Sequence, residues 1–251
     1  MHGKHVRGTG GMHTAGPEVR WRGAGQDVQV PDQVQEHLLA GKAALLVRDC
    51  PHEDGVGGIA VAIAGLATPA LANFMATHCR GIVSATLDAE HALRLGIGLG
   101  SRPGDREKGR NFLVSVEAAC CDGTGISAAD RALTLRTIGA PGVCAPDLVT
   151  PGHIMPMLVQ TVVSKQSPLP DIAHMLVENT QVPDTSQQFR SAAWCDVLDD
   201  DGRIASAEHC IALAARHGLT AIYWDGKRFM LLNDASAPTA RTHFGRGNTA
   251  A

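Results

Sequence analysis

Four side chains that could ligate a metal or carry protons follow a short apolar run. The run is AALLV, residues 43–47, and the segment behind it contains Cys50, His52, Glu53 and Asp54. Thiolates, imidazoles and carboxylates are the usual protein ligands of Zn²⁺, and the last two are the usual groups of acid–base catalysis. The sequence has no second cluster at zinc spacing, so we do not expect a structural zinc site. The functional interpretation is an active-site loop after a strand.

Two other acid–base candidates lie further along the chain. His153 lies in TPGHIMPM, residues 150–157, where a Pro-Gly turn and a second proline would fix the direction of the imidazole. Asp196 lies inside an apolar strand pattern, where a carboxylate is costly unless it has a partner or a task. His153 has a structural alternative, since a lone loop histidine is more often hydrogen-bonded within the fold than catalytic. Asp196 has one as well, since a partner within the fold would also account for its position. The Asp run at 199–201 is typical of a solvated turn, because the residues after it lack further Ca²⁺ ligands.

A glycine-containing segment precedes a predicted helix at DGTGISAADRALT, residues 122–134. Unpaired backbone N–H groups and the helix dipole favour an anion at such a junction. The same segment contains two hydroxyls, Thr124 and Ser127, and the charged pair Asp130 and Arg131. The alternative is that the two hydroxyls only cap the helix while the Asp-Arg pair lies on its surface.

Helical and strand patterns alternate between two tails that have no hydrophobic period. Runs such as GIVSATL, NFLVSVEA and HIMPMLVQ predict strands, and PDQVQEHLLAGK, TPALANFMATHCRG and DIAHMLVEN predict helices. This alternation predicts an α+β fold with α/β-like character, in which helices flank a mixed β-sheet. We expect one domain over residues 30–233, with disordered tails at 1–29 and 234–251.

Composition excludes several classes of protein. The formal net charge is -3 and the basic residues are dispersed, so nothing predicts nucleic-acid binding. The longest apolar stretch, residues 59–67, is too short to span a bilayer. Seven cysteines without a CxxC spacing, and no apolar targeting segment at the start, favour a cytoplasmic location with free thiols.

In order and spacing, these segments resemble the 3,4-dihydroxy-2-butanone-4-phosphate synthase family of riboflavin biosynthesis. The similar runs cover most of the span from residue 34 to about 232 and include GTGISAADRALTLR, TPGHIMPM and CDVLDDDGRIAS. The resemblance implies an α+β fold and a homodimer with active sites at the subunit interface. It also implies conversion of ribulose 5-phosphate to formate and a four-carbon ketone phosphate, with Mg²⁺ held by a Glu and a His.

The sequence departs from the family at those metal ligands. The family's acidic loop, close to DDEDRENEGD, corresponds to residues 50–59, and its metal-binding Glu corresponds to Gly55. A shift of one or two residues would bring Glu53 near that position, and only then would we expect Mg²⁺. The family's GGHTEA segment corresponds to QSPLPD, residues 166–171, and its phosphate-contacting Arg to about Lys165. No cofactor is otherwise expected.

These departures predict that the parent activity is lost, because enolisation and formate release depend on a metal and on carboxylates. The first hypothesis is a repurposed, metal-independent lyase, isomerase or cyclase. It would act on a small carbonyl or enol intermediate in specialised, natural-product biosynthesis. His153 would be the general acid/base and Asp196 its helper, while His52, Glu53 and Asp54 would close over the ligand.

The predicted substrate-binding residues are Thr124, Ser127, Asp130, Arg131, Arg80 and Lys165. A second hypothesis is a non-catalytic paralogue that binds a sugar phosphate or a protein partner. A third is surviving synthase activity, with Glu53 and His174 in place of the two missing metal ligands.

Overall fold

The computed structural model describes residues 27–50, 55–100, 111–182 and 188–232. The loop residues His52, Glu53 and Asp54, and most of both predicted tails, lie outside these ranges. Val28 lies within them and is buried, and its N–H donates to Asn179 Oδ1 at 3.0 Å. The folded part of the chain therefore begins before residue 30.

Four of the six α-helices in the described residues begin at a side-chain cap, and α1 and α5 follow a proline instead. Their bounds are α1 Asp32–Leu39, α2 Pro69–Phe74, α3 Ala89–Leu95, α4 Ala128–Gly139, α5 Leu169–Glu178 and α6 Ala207–Arg216. The residues before α2, α3, α4 and α6 are Thr68, Asp88, Ser127 and Ser206, and each accepts a backbone N–H through its side chain. None of the described helices is long and apolar enough to cross a bilayer.

The strands form one mixed sheet. They are β1 Ala44–Cys50, β2 Gly55–Ile63, β3 Ser84–Leu87, β4 Asn111–Phe112, β5 Val116–Ala118, β6 Leu148–Leu158, β7 Ala192–Asp196, β8 Thr220–Trp224 and β9 Phe229–Leu231. The order across the sheet is β4-β6-β3-β7-β2-β1-β8-β9, and β5 pairs with β6. The pairs β1–β8 and β3–β6 are parallel and the others are antiparallel. The predicted fold class is therefore confirmed.

Helices cover both faces of the sheet, and each face has its own core. On one face, α1 and α5 bury side chains such as Leu38 and Leu176 against β1, β2 and β7. On the other face, α2, α3, α4 and α6 bury residues such as Leu71 and Leu135. Full burial of a side chain of this size stabilises the fold by roughly 1.5–3 kcal/mol. This three-layer packing holds the strand ends in place.

The segment predicted as an active-site loop, residues 48–58, contains more β-structure than the sequence predicts. Residues 48–50 and 55–58, which we expected to be part of a loop, belong to an antiparallel hairpin in which Cys50 pairs with Gly55. Only residues 51–54 connect the two strands. A Cβ on Gly58 would lie 2.5 Å from Cys210 Sγ, so α6 packs directly against this glycine. Gly58 therefore serves close helix–strand packing.

One histidine lies in the core with both ring nitrogens unpartnered within the described residues. His91, on α3, is 2% exposed. The pKa of His91 is lowered from 6.5 to about 4, mainly by burial and then by the Arg94 charge, while Asp88 opposes the change. The folded chain therefore keeps this imidazole neutral under mildly acidic conditions.

We expect the free energy of unfolding to fall as the pH is lowered from 6.5 to about 4. Over this range the unfolded chain binds a proton at His91 and the folded chain does not, so protons favour unfolding. The loss attributable to this residue is roughly 3 kcal/mol at the acid end. Urea denaturation of chelator-treated protein between about pH 4 and pH 7 measures it. His91→Leu should flatten the dependence, and an unchanged slope would contradict the assignment.

Candidate active site

An irregular stretch of β6 positions His153. Glu117 of β5 pairs with Val149, whereas the residue before Glu117 pairs with Ile154. Residues 150–153 therefore have no register partner in β5. A bulge of this kind re-aims side chains and is common beside active sites. The turn expected at TPGH is thus a bulge within a strand, and its Thr150–Pro151 peptide bond is cis.

The bulge brings the His153 imidazole to the Glu117 carboxylate. His153 Nδ1 lies 3.0 Å from Glu117 Oε2. The Glu117 side chain is 12% exposed and that of His153 is 40% exposed, so the carboxylate lies buried behind an accessible ring. An ionised carboxylate only accepts hydrogen bonds, so Nδ1 carries the proton and Nε2 can take up another. This is the geometry of a histidine general base oriented by a carboxylate.

Two glycines allow backbone to lie against this pair. A Cβ on Gly125 would overlap the Glu117 carboxylate, and a Cβ on Gly152 would overlap the Val116 backbone carbonyl. Gly125 also has φ +78°, in the left-handed region that favours glycine. The loop before α4 and the bulge of β6 therefore enclose the Glu117 carboxylate from two sides.

Two of the predicted substrate-binding side chains at this loop, Ser127 and Asp130, make contacts within the fold. Ser127 Oγ accepts the Asp130 N–H at 3.1 Å and caps α4. The Asp130 carboxylate lies against Gly123, where a Cβ would come within 2.8 Å of Oδ2. Thr124 is exposed. The geometry supports the capping alternative for Ser127 and leaves Thr124 accessible to a ligand.

The side chain of Arg131 likewise holds the loop. Its Nε donates to the Ile126 carbonyl oxygen at 2.9 Å, which closes the loop onto the first turn of α4. One turn later, Thr134 Oγ1 accepts the Ala118 N–H at 3.0 Å. This bond joins α4 to β5 next to Glu117, so the helix fixes the strand that carries the carboxylate.

Ser127→Ala is expected to lower the free energy of unfolding by about 1 kcal/mol, because it removes the N-cap of α4. Ser127→Asp should restore most of that loss, since aspartate caps equally well. Ser206→Ala is the matched control, because Ser206 caps α6 in the same way. Urea denaturation measures the stabilities. If Ser127→Ala is as stable as wild type, Ser127 does not act as a cap. If KM changes in the Ser127 variants and not in Ser206→Ala, Ser127 also contacts the ligand.

Asp196 lies at the same end of the sheet as His153, on the far side of β3. Ser84 of β3 pairs with Met155 on one side and with Trp194 on the other. His153 lies two residues before Met155, and Asp196 lies two residues after Trp194. Because β6 runs parallel to β3 and β7 runs antiparallel to it, both residues lie beside the start of β3. Two strand spacings separate them, roughly 10 Å. Asp196 therefore does not hydrogen-bond to His153 directly, and a helper role would act on another part of a ligand.

Arg80 hydrogen-bonds to the Asp-rich turn that follows β7, residues 199–201. Its Nη1 donates to the Asp199 carbonyl oxygen at 3.0 Å and to Asp200 Oδ1 at 2.7 Å. This guanidinium holds the pKa of the Asp200 carboxyl below its usual range. Arg80 thus has a structural role in the described geometry, and its contact with a substrate stays a prediction.

Lys165 lies apart from the other candidates. It is exposed, and its side-chain stem lies beside Gly226, just after β8. Five strand spacings separate β8 from the strand that carries His153, which is roughly 24 Å. Within one chain, Lys165 therefore does not share a pocket with the imidazole.

The strand ends that flank the acidic loop lie at the His153 end of the sheet. Ile59 of β2 pairs with Asp196, and the hairpin extends from there to the Cys50–Gly55 pair. Residues 51–54, which include three of the predicted catalytic side chains, lie outside the described residues. The end of the hairpin is where an active-site loop would have to lie.

Glu117 was not among the residues predicted from the sequence, although its position in an apolar strand pattern could have indicated it. Glu117 is a carboxylate at a buried position of an apolar strand, the same property that singled out Asp196. Its partner lies 36 positions away in sequence, and no local pattern connects the two. Only the β5–β6 pairing reveals the contact.

Sequence comparison finds relatives over most of the chain. The chain is 32% identical over 187 residues to the 3,4-dihydroxy-2-butanone 4-phosphate synthase of Neisseria meningitidis serogroup B. The match covers 74% of this chain and 50% of the relative. The synthase of Oceanobacillus iheyensis is 30% identical over 193 residues, covering 76% of this chain and 88% of the relative. The chain spans about half the length of the first of these relatives.

Solved structures share the fold. A two-domain 3,4-dihydroxy-2-butanone 4-phosphate synthase from A. baumannii matches with a TM-score of 0.62 and 27% identity, covering 76% of this chain and 54% of that one. The Candida albicans synthase matches with a TM-score of 0.65 and 24% identity, covering 78% and 94%. Another, at 24% identity and a TM-score of 0.60, is described as a complex with two magnesium ions and covers 76% and 90%.

The described residues do not reproduce the expected magnesium ligands. Residues 166–171, which the sequence predicts to correspond to the family's metal-binding segment, contain neither His nor Glu. The acid among them, Asp171, is buried on α5 and accepts the Gln160 N–H at 3.4 Å. His174 contacts Thr86 and Glu178, so the hypothesis that it replaces the lost histidine gains no support. We therefore derive no step through a metal at this position.

A sequence model described as 3,4-dihydroxy-2-butanone 4-phosphate synthase matches residues 32–225. That range contains the Glu117–His153 pair, the α4 loop and every strand from β1 to β8. The chain belongs to the 3,4-dihydroxy-2-butanone 4-phosphate synthase family.

Proposed function

We propose that this protein is a repurposed lyase or isomerase that transfers a proton at a carbon next to a carbonyl group in a small ligand. The contact between His153 Nδ1 and Glu117 Oε2 carries the proposal. Nε2 removes the C–H proton and the electron pair passes to the carbonyl oxygen, which gives an imidazolium and an enolate, or an enediolate where that carbon bears a hydroxyl group. Return of the proton to a neighbouring carbon, or departure of a leaving group, completes the reaction.

The surroundings of the pair suit an anionic intermediate. The loop before α4 touches the Glu117 carboxylate at Gly125, so the start of this helix lies next to the reacting position. The backbone N–H groups at a helix start stabilise negative charge. Thr124, which is exposed in this loop, and Asp196, across β3, would contact the hydroxyl groups of the ligand. The loop groups His52, Glu53 and Asp54 would close over it.

A second copy of the chain would complete the site. Two large apolar side chains beside the pair are exposed, Ile126 at 50% and Val149 at 49%. Val149 pairs directly with Glu117, and Ile126 follows Gly125 in the loop that touches the carboxylate. Apolar side chains around a polar site favour burial by a partner. We therefore propose a homodimer with the sites at its interface.

Proton exchange in D₂O tests the function. The full chain is incubated in chelator with ribulose 5-phosphate, and separately with ribulose, which lacks the phosphate. Proton NMR follows deuterium entry beside the carbonyl and the appearance of formate. We expect exchange without formate, and no exchange in His153→Ala. Formate production that requires added Mg²⁺ would instead support the synthase activity for which the relatives are named. No exchange with either compound would contradict the proposal.

A further inference from the structure

A second group of ionisable side chains lies at the opposite end of β3 from the acid–base pair. Its members are Asp88, His174 and Glu178, and one potential ligand atom from each lies within 4.8 Å of the others. Asp88 follows β3, whose last residue pairs with Leu158, five residues along β6 from His153. That separation is roughly 16 Å along the strand. The group is therefore independent of the proposed catalytic site.

The histidine of this group is buried with one ring nitrogen unpartnered. His174 is 1% exposed, and its Nδ1 lies 2.9 Å from Thr86 Oγ1. Among the described residues its Nε2 has no hydrogen-bond partner; it lies 3.5 Å from Glu178 Oε1, within ion-pair distance but without hydrogen-bond geometry. A buried nitrogen without a partner costs free energy comparable to a lost hydrogen bond. Something other than the described residues would have to satisfy it.

The tautomer required of a metal ligand fits the contacts of Thr86. A histidine that binds metal through Nε2 carries its proton on Nδ1 and donates it to an oxygen. Thr86 Oγ1 accepts the Ala192 N–H at 2.9 Å, and a hydroxyl oxygen has a second lone pair for Nδ1–H. β3 therefore orients the ring so that Nε2 faces the carboxylates.

The carboxylates come from two separate elements. Glu178 is four residues after His174 on α5, so both side chains lie on one face of that helix. Asp88 caps α3 by accepting the His91 N–H at Oδ1, at 2.7 Å. That bond uses one carboxylate oxygen. Two carboxylates around a neutral imidazole carry a charge of -2, which favours a divalent cation.

We propose that Asp88, His174 and Glu178 bind one divalent transition-metal ion, for which Zn²⁺ is the best match, and that the ion joins α5 to the β3–α3 junction. One imidazole and two carboxylates are a donor set that Zn²⁺ accepts, whereas Mg²⁺ prefers oxygen ligands alone. Ligand atoms around tetrahedral Zn²⁺ lie about 3.3 Å apart, so side-chain shifts of about 1 Å close the site. Water from solvent completes the coordination.

Zinc binding to the chelator-stripped full chain tests this site. Equilibrium dialysis with metal analysis gives the stoichiometry, and thermal unfolding gives the effect on stability. Asp88→Asn and Glu178→Gln remove one ligand charge each, and asparagine preserves the α3 cap. Glu90→Gln is the matched control, because Glu90 is an exposed acid in the first turn of α3. Comparison with these variants subtracts Zn²⁺ bound elsewhere, including by residues outside the described ranges.

We expect wild type and Glu90→Gln to bind one more equivalent of Zn²⁺ than the double variant Asp88→Asn/Glu178→Gln. Saturating Zn²⁺ should raise Tm by roughly 5–10 °C in the first two proteins only. Each single variant should weaken affinity at this site by at least about tenfold, and Mg²⁺ should produce none of these effects. Equal stoichiometry and equal Tm shifts in wild type and the double variant would overturn the proposal. So would binding that Glu90→Gln abolishes.

Discussion

His153→Ala is expected to reduce the rate of deuterium exchange by roughly 10²–10⁴-fold, the usual contribution of a general acid–base group. The ring is 40% exposed, so its removal leaves no large cavity and the fold should persist. NMR exchange rates and urea denaturation of the same preparations separate the two effects. His209→Ala is a control, because His209 lies on α6, which packs against β1, β8 and β2, whereas the pair lies on β5 and β6. A rate within about twofold of wild type would remove His153 from the mechanism.

Glu117→Gln tests whether the carboxylate orients the imidazole. Glutamine keeps the shape of the side chain but lacks the charge that stabilises the imidazolium formed during proton transfer. We expect kcat to fall by roughly tenfold or more while KM stays nearly constant, the signature of an interaction made in the transition state. A purely structural role would instead lower stability and leave kcat of the folded fraction unchanged. That result would make Glu117 part of the scaffold only.

Gly125→Ala is the second change with a large expected effect, and Gly142→Ala is its matched control. Both glycines have φ +78°. A Cβ on Gly125 would overlap the Glu117 carboxylate, whereas nothing lies within 4 Å of a Cβ on Gly142. The left-handed backbone costs alanine roughly 1–2 kcal/mol at either position. Only Gly125→Ala must also move a buried carboxylate from its hydrogen bond, at a further cost of about 1–3 kcal/mol.

Urea denaturation and exchange rates measure the two glycine variants in parallel. We expect Gly142→Ala to lose the smaller free energy and keep full activity. Gly125→Ala should lose more and should exchange protons no faster than Glu117→Gln, since both disturb the same carboxylate. Equal losses of stability, with activity preserved in both, would contradict the contact between the α4 loop and Glu117.

Much of the fold follows from local signals along the chain. Thr68 caps α2 at the start of the predicted TPALANFMATHCRG helix, and Ser127 caps α4 as the capping alternative predicts, because capping depends only on residues within one turn. The predicted strands and helices occur in the predicted order, since hydrophobic period is a local property. The main departure concerns the acidic segment, where polar and glycine residues suggested a loop. Pairing with a neighbouring strand overrides that composition, and Cys50 pairs with Gly55 in a hairpin.

The candidate site was predicted only in part. His153 stood out because prolines and a glycine surround it, and Asp196 because it interrupts an apolar strand. The structure places both at one end of the sheet, with the hairpin end that leads to residues 51–54. It places Lys165 several strands away and engages Arg80 with the turn after β7. Residue type marked the candidates, but strand order decided their neighbours.

By itself, the sequence determined the order of the elements and the resemblance to the synthase family, and it predicted a departure from that family's metal-binding segment. These properties depend on residue types within short segments, and such local patterns can be recognised from the sequence alone. Only the tertiary structure decided that Glu117 orients His153, and that Asp88 meets His174 and Glu178. Each contact joins residues far apart in the chain through the β5–β6 bulge or the packing of α5 on β3. Contacts of this kind arise from strand pairing and from burial of apolar faces, and neither leaves a local pattern.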